Sequence, residues 1–180
     1  MVYEVEEWIG IPPSAIGEDI DASVMSIIRE SMEGQIDDEL GIIAAVIDAK
    51  VVGDGIVLSL PGDPDIYFPV RYKILAFKPV LLEVVKGVVR EAREQGIFVG
   101  IGPIDGFVFR NQIMDEQVEF LFDRRGFRGL ESNRAVAVGD KVRARITQIS
   151  KAARRAATLR IGMTMRQPYL GKDEWYEEGE

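Results

Sequence analysis

The sequence predicts two domains in series: an α+β domain built on an antiparallel sheet with one main helix, then a small closed all-β barrel. Three observations carry this expectation. The first part of the chain holds one apolar stripe at helical spacing among strand-like runs. The second part holds five short strand-like runs with glycine-rich joints and no long helical pattern. Between them the charge changes sign: from Met1 to Lys78 fifteen acids stand against five bases, a balance of −10, whereas from Lys86 to Lys172 seventeen bases stand against nine acids, a balance of +8. Lys78-Pro79, where a proline also interrupts any ladder, is the expected boundary, giving domains at 1–78 and 79–180.

Each element has its own reason. Residues 2–9, Val-Tyr-Glu-Val-Glu-Glu-Trp-Ile, alternate loosely as a strand does, and Pro12-Pro13 end it because neither offers an N–H to a ladder. Ile20, Val24, Ile27, Ile28 and Met32 recur at three- and four-residue steps, which predicts a helix, and Gly34 supplies a left-handed stop. Residues 41–47, Gly-Ile-Ile-Ala-Ala-Val-Ile, are apolar on both faces, short and rich in β-branched side chains, so they read as a buried strand. Gly53-Asp54-Gly55 marks a hairpin-type turn into a strand at 56–60, Pro61-Gly62-Asp63-Pro64-Asp65 breaks the chain, and a strand returns over 67–77. Beyond the boundary, strands are expected at 82–89, 96–101, 106–110, 141–149 and 158–165. Five strands in so short a span suit a closed barrel such as an OB-fold. Residues 115–138, with Phe120, Phe122 and Phe127 among charges, read as irregular.

The inventory excludes much enzyme chemistry. The 180 residues include no cysteine and no histidine, so disulfides, thiolate nucleophiles, the usual zinc sites and histidine bases are ruled out. Gly53-Asp54-Gly55 has no following helix or lysine to make a phosphate cradle. The acidic runs Asp37-Asp38-Glu39 and Glu177-Glu178 lack calcium-loop spacing, and no carboxylate pair stands out as a general acid and base. No catalytic constellation, metal or cofactor is expected. No apolar run reaches the roughly 18 residues of a membrane helix, and the first residues lack the order of a signal peptide, so no membrane contact and a cytoplasmic location are expected.

The basic half points instead to nucleic acid. Along a strand neighbouring side chains point opposite ways, so Ile97, Val99 and Ile101 share one face and leave Phe98 on the other among glycines. Phe107 and Phe109 share a face opposite Val108 and Arg110. Val142, Ala144 and Ile146 oppose Arg143, Arg145 and Thr147; Leu159, Ile161, Met163 and Met165 oppose Thr158, Arg160, Gly162, Thr164 and Arg166. Exposed rings beside arginines on the second and third strands of such a barrel are what single-stranded nucleic acid needs, π-faces for bases and cations for phosphates. The same alternation is satisfied if Phe107 and Phe109 are core residues and the arginines form ordinary surface ion pairs.

Certain residues also carry a family likeness. Gly87-Val88-Val89, Gly96-Ile97-Phe98-Val99, Asp105-Gly106-Phe107-Val108-Phe109, Gln112-Ile113 and Gly139-Asp140-Lys141-Val142 resemble the S1-type RNA-binding domain. The tail Thr164-Met165-Arg166-Gln167-Pro168-Tyr169-Leu170-Gly171-Lys172, closing with Glu174-Trp175, is similar to the carboxyl-terminal signature of the larger stalk subunit of archaeal RNA polymerase, the E-prime family. Ile11-Pro12-Pro13, Ile16-Gly17, Glu33-Gly34, Asp38-Glu39-Leu40-Gly41 and Val46-Ile47-Asp48-Ala49-Lys50 stand in that family's order.

The resemblance implies a tip domain docking on the polymerase core subunits and an S1-type barrel along the transcript's exit path. It also implies a heterodimer with a smaller helical stalk subunit, support of initiation, elongation and termination, and no catalytic residues on this chain. RNA contacts are then expected at Phe98 and Phe109, which fall where the S1 pattern has its stacking residues, and at Arg110 beside them; face alternation adds Phe107, Arg143, Arg145, Arg160 and Arg166. Docking is expected at Gly62, Asp63, Tyr67 and Phe68, where the family's glycine-aspartate-glycine loop and nearby histidine are replaced by Gly62-Asp63-Pro64 and Tyr67-Phe68. Pro168, Tyr169, Leu170 and Trp175 are expected to fold back on the barrel or the tip domain. A free RNA-binding adaptor of an RNA-degrading or translation complex, or a structural linker with a covered barrel face, would use the same barrel without needing the tail motif.

Overall fold

A computed structural model describes residues 1–17, 19–58, 61–151 and 159–177. The chain divides into two compact units, Met1–Lys78 and Pro79–Glu180.

In the first unit β1 (Val2–Ile11), α1 (Ile20–Met32), β2 (Ile36–Asp37), β3 (Gly41–Val51), β4 (Ile56–Val57) and β5 (Ile66–Phe77) form one sheet and one helix. The sheet order is β1-β5-β3-β2, with β4 also paired to β5 and every pairing antiparallel. The helix starts where Asp19 accepts a hydrogen bond from the Ala22 amide at 3.1 Å, satisfying one of the donors a first turn leaves free. It ends at Met32: Glu33 is already extended, at φ −63° and ψ 129°, and Gly34 at φ +82° completes a turn in which the Gln35 amide donates to the Met32 carbonyl at 3.0 Å, while the Gly34 amide donates to the Ile43 carbonyl at 2.8 Å and ties the helix end to β3. Val24 and Ile28 are buried against Ile43 and Val46 of β3 and Val70, Tyr72 and Ile74 of β5. Full burial of such side chains is worth about 1.5–3 kcal/mol each. The outer face is a charge ladder: Glu4, Lys73 and Asp48 lie in register, as do Glu6, Arg71 and Lys50. Arg71 reaches Glu6 at 3.0 Å. Half-exposed pairs of this kind contribute roughly 0–1 kcal/mol, so the core and not the ladder holds the unit.

The turn at 53–55 does not reverse the chain into a hairpin with the preceding strand. Val52 donates to the Pro69 carbonyl at 2.9 Å, and Ile56 and Val57 then pair with Tyr67 and Ile66, so β4 continues along the edge of β5 that β3 has been following. Gly55 is where Phe68 crosses the backbone: a Cβ there would stand 2.6 Å from the ring. The expected strand ran on through Ser59 and Leu60, which lie outside the described residues.

In the second unit β6 (Val84–Arg93), β7 (Gly96–Gly100), β8 (Asp105–Phe109), β12 (Lys141–Lys151) and β13 (Leu159–Thr164) close a barrel in the order β12-β13-β8-β7-β6. All neighbours are antiparallel except β13 and β8, which are parallel. Ile97, Val99, Val108, Val142, Ala144 and Ile146 point inward and are almost wholly buried, as the alternation requires. Thr164 is the exception on its strand: it is 4% exposed, with its hydroxyl donating to Gln112 Oε1 at 2.8 Å. Thr158, expected to begin that strand, lies outside the described residues.

Residues 115–138, expected to be irregular, instead hold a three-stranded antiparallel sheet of β9 (Val118–Leu121), β10 (Gly126–Gly129) and β11 (Ala135–Ala137), in the order β11-β10-β9. Its strands are three or four residues long and its turns pass through Arg125 and Asn133 at φ of +47° and +58°. Phe127 on the middle strand is fully buried, opposite Val136 and Phe120.

The tail closes onto this unit. Gly171 exchanges backbone hydrogen bonds with Arg143 on β12, at 2.8 and 2.7 Å. Its φ of +93° and the Trp175 ring against its Cα leave no room for a side chain. Leu170 is buried, Trp175 at the start of the short helix α2 (Glu174–Glu177) donates to the Ala135 carbonyl at 3.3 Å, and Tyr176 donates to the Leu170 carbonyl at 2.8 Å. Lys172 bridges Asp140 and Glu174, both at 3.1 Å. Burial alone would lower its pKa, but the hydrogen bonds and charges of the two carboxylates together raise it. Tyr169, in contrast to Leu170, is 70% exposed.

Candidate nucleic-acid interface

The aromatic side chains of β7 and β8 lie outside the barrel. Phe98 stands directly opposite Phe107 across the two strands, and Phe109 stands opposite Gly96. With Val108 and Ile97 filling the interior, strand alternation sends all three rings outward. Their centroids are 4.8 Å apart for Phe98 and Phe107 and 4.7 Å for Phe107 and Phe109, tilted and edge-on respectively. The alternative that placed Phe107 and Phe109 in the core is therefore excluded: Phe109 is 56% exposed, and Phe98 and Phe107 are partly so.

Glycines clear the ground around the rings. A Cβ on Gly96 would meet the Val108 carbonyl and come within 2.8 Å of the Phe107 ring. Gly162 on β13 lies opposite Phe107 on the other side. The result is a continuous run of π-surface with low walls, which suits stacked bases.

The arginines distribute unevenly around this run. Arg160 is exposed on the outer face of β13, two residues from Gly162. Arg93, which face alternation in the sequence passed over, lies with its guanidinium 5.3 Å from the Phe98 centroid while Glu91 holds it at 2.7 Å. The signal was Arg93 falling opposite Gly96 in a hairpin register, which no motif marks. Arg110 is turned toward the inserted sheet, donating to the Val118 carbonyl at 2.6 Å, and Arg166 pairs with Asp115 at 2.9 Å. Arg143 and Arg145 stand on β12 opposite Lys86 and Val84, away from β7 and β8 in the barrel order. Arg143 is bound to Asp173 of the tail at 2.6 Å, and the Nε atoms of both arginines are buried. The rings and Arg93 are thus brought together, with Arg160 exposed on the neighbouring strand, whereas Arg143 serves the tail.

In the first unit, Gly62 has a φ of +85°, and Asp63 accepts hydrogen bonds from the Tyr67 hydroxyl at 2.7 Å and the Asp65 amide at 3.0 Å. The Tyr67 hydroxyl, then the Asp65 amide, hold the Asp63 carboxyl below its usual pKa; the same bond, then desolvation, raises that of Tyr67. Phe68 packs against the core from its edge. Replacing Tyr67 by phenylalanine should raise the Asp63 pKa toward its usual value. A lowered carboxyl pKa stabilises the fold above the unfolded value, near 4, and that contribution disappears as pH falls through the folded value. The variant should therefore show a smaller acid-side loss of stability. A carboxyl NMR titration that left Asp63 unmoved would remove Tyr67 as its principal partner.

Residues 81–160 match the S1 RNA binding domain. Residues 6–64 match the SHS2 domain found in the N terminus of Rpb7p/Rpc25p/MJ0397. The chain is 32% identical over 170 residues to DNA-directed RNA polymerase subunit Rpo7 of Sulfolobus acidocaldarius, covering 94% of this chain and 91% of that one. The chain belongs to the Rpo7/Rpb7 family of RNA polymerase subunits. Saccharolobus solfataricus Rpo7 is 35% identical over 167 residues, 93% of this chain and 91% of its own. Subunit RPB7 of Saccharomyces cerevisiae RNA polymerase II is 30% identical over 112 residues, 62% of this chain and 65% of its own. Members of the family are thus parts of an enzyme complex, with the SHS2 match falling in the first unit and the S1 match in the second. Among the described residues no helix is long and apolar enough to cross a membrane, and no cluster of acidic side chains is arranged to hold a metal ion.

Proposed function

We propose that this chain is the larger stalk subunit of a DNA-directed RNA polymerase, holding emerging single-stranded RNA on the face made by Phe98, Phe107 and Phe109. The first unit docks on the polymerase core through the turn at Gly62, Asp63, Tyr67 and Phe68, and a smaller helical subunit completes the stalk. Catalysis belongs to the core, and this chain contributes no reacting group.

The observation that carries the RNA role is the contiguity of the three outward rings on a barrel that matches an S1 RNA binding domain. Stacking accepts any base, and Arg93, against the Phe98 ring, and Arg160, two residues from Gly162 on the neighbouring strand, supply cations beside the rings. Arg110 and Arg166 stand at the margin of the same face, and Arg143 and Arg145 shape the tail side of the barrel.

Native co-purification tests the assembly: the large polymerase subunits and one small helical partner should come down with the chain. Recovery of ribonuclease or ribosomal proteins in their place would overturn it. For the RNA role, removing Arg160 should lower the salt dependence of binding by about one unit of slope without changing any sequence preference. An unchanged slope would take Arg160 off the RNA path.

A further inference from the structure

The aromatic run continues past the barrel face. Phe109 also lines an open cleft of about 1000 Å³ between the barrel and the inserted sheet. Met114 and Val118, both nearly buried, line it with Leu130, which like Phe109 is more than half exposed. The cleft is therefore apolar in its depths and carries an accessible ring at one margin.

The charged groups around it are mostly engaged with one another. Arg166 is paired with Asp115 at 2.9 Å, and Glu119 with Arg128 at 3.0 Å. Arg110 donates to the Val118 carbonyl. Glu116 accepts from the Glu131 and Ser132 amides at 2.6 and 3.0 Å and from the Ser132 hydroxyl. The Ser132 bonds and the Glu131 amide keep that carboxylate ionised and turned to the backbone. Three neutral amides remain, those of Gln95, Asn111 and Gln117, and among the described residues none has a side-chain hydrogen-bond partner. A phosphate would find no uncommitted cation here, and a basic side chain would find only Glu131. A flat neutral heterocycle would find a ring to stack on, apolar walls, and amides that both donate and accept.

We propose that this cleft receives one nucleobase of the RNA strand leaving the Phe98-Phe107-Phe109 face. Phe109 stacks it, and Gln95, Asn111 and Gln117 hydrogen-bond to its edge. The proposal rests on the RNA-holding role given above and adds base discrimination to it. Stacking alone tolerates every base, whereas amides paired to a base edge reject bases that cannot match them.

The test uses the full chain and short oligonucleotides of A, C or U in a direct binding titration. The wild type should prefer its best base over its worst by about tenfold or more, a difference equal to one well-formed hydrogen bond. The double variant Asn111→Ala/Gln117→Ala should shrink that ratio to below about threefold while leaving the weakest oligonucleotide unchanged. Leu130→Trp, which fills the cleft while keeping all three amides in the sequence, should shrink it too. Phe98→Ala should weaken all three oligonucleotides alike and keep their ratio. If the wild type binds the three equally, or if the amide variants weaken all of them in parallel, the cleft does not read bases, although the aromatic platform stands. If the wild type binds none, the platform fails and the cleft reading with it.

Discussion

Replacing Phe107 by alanine should cost more RNA affinity than removing either of its neighbours. Phe107 is the middle ring of three, 4.8 Å from Phe98 and 4.7 Å from Phe109, which do not contact each other as a ring pair. Its loss takes away one stacking surface and the lateral support that sets the tilt of the other two. At about 1–3 kcal/mol for each stacked base, the lost ring together with one neighbour freed from its tilt counts as two stacks, roughly 2–6 kcal/mol, at least about thirtyfold in dissociation constant. Removing Phe98 alone should cost a single stack. Phe107 is only partly buried and points away from the interior, so the barrel should stay folded and the loss should appear in RNA titration without a matching fall in melting temperature. Equal effects at positions 98 and 107 would mean the rings act independently. No effect at 107 would place the RNA elsewhere on the barrel.

The second large effect is on stability. Phe127→Ala should destabilise the Pro79–Glu180 unit by about 3–5 kcal/mol, the usual range for emptying a fully buried phenylalanine site. Phe127 has no exposure, its ring meets Phe120 at 5.1 Å, and it lies opposite both Phe120 and Val136 on flanking strands. A sheet of strands this short has few other apolar anchors. Amide exchange at Phe120 and Val136 should accelerate strongly, while exchange at Ile74 in the first unit should not. A loss under about 1 kcal/mol would show that the inserted sheet borrows its stability from the barrel through Arg110 and Met114.

The two effects separate what was readable in the sequence from what was not. The barrel was readable because its interior alternates without exception along β12 from Val142 to Ile146 and because glycines punctuate its joints. Helix α1 was readable from its stripe and from Gly34. The inserted sheet was hidden because its strands are only three or four residues long, too short for alternation to declare itself: Val118 and Phe120 flank Glu119, Phe127 stands alone beside Arg128, and Ala135-Val136-Ala137 holds a single large apolar side chain. The course of β4 was hidden because a Gly-Asp-Gly turn specifies a local bend and not which strand lies beside the chain afterwards. At the site, the rings and their shared face followed from alternation. The partners of Arg143 did not, since Asp173 is thirty positions further on and meets it only because Gly171 bridges to β12. Side chains committed to distant segments are invisible to any local pattern.

The parallel pairing of β13 with β8 sets the order in which this protein can become functional. It joins Ile161 to Gly106 and Gly162 to Phe107, across a separation that includes the whole inserted sheet. Contacts so far apart in sequence form late, because loop closure must be met before they return any stability. On the ribosome, β7 and β8 can form a hairpin early, but Phe107 lacks its neighbour on the far side until β13 has been synthesised. The flank of the aromatic face beside β13 is therefore completed only after the inserted sheet and β12 have been made, and a chain stopped before residue 159 would carry its three rings on a hairpin with no strand on the far side of β8.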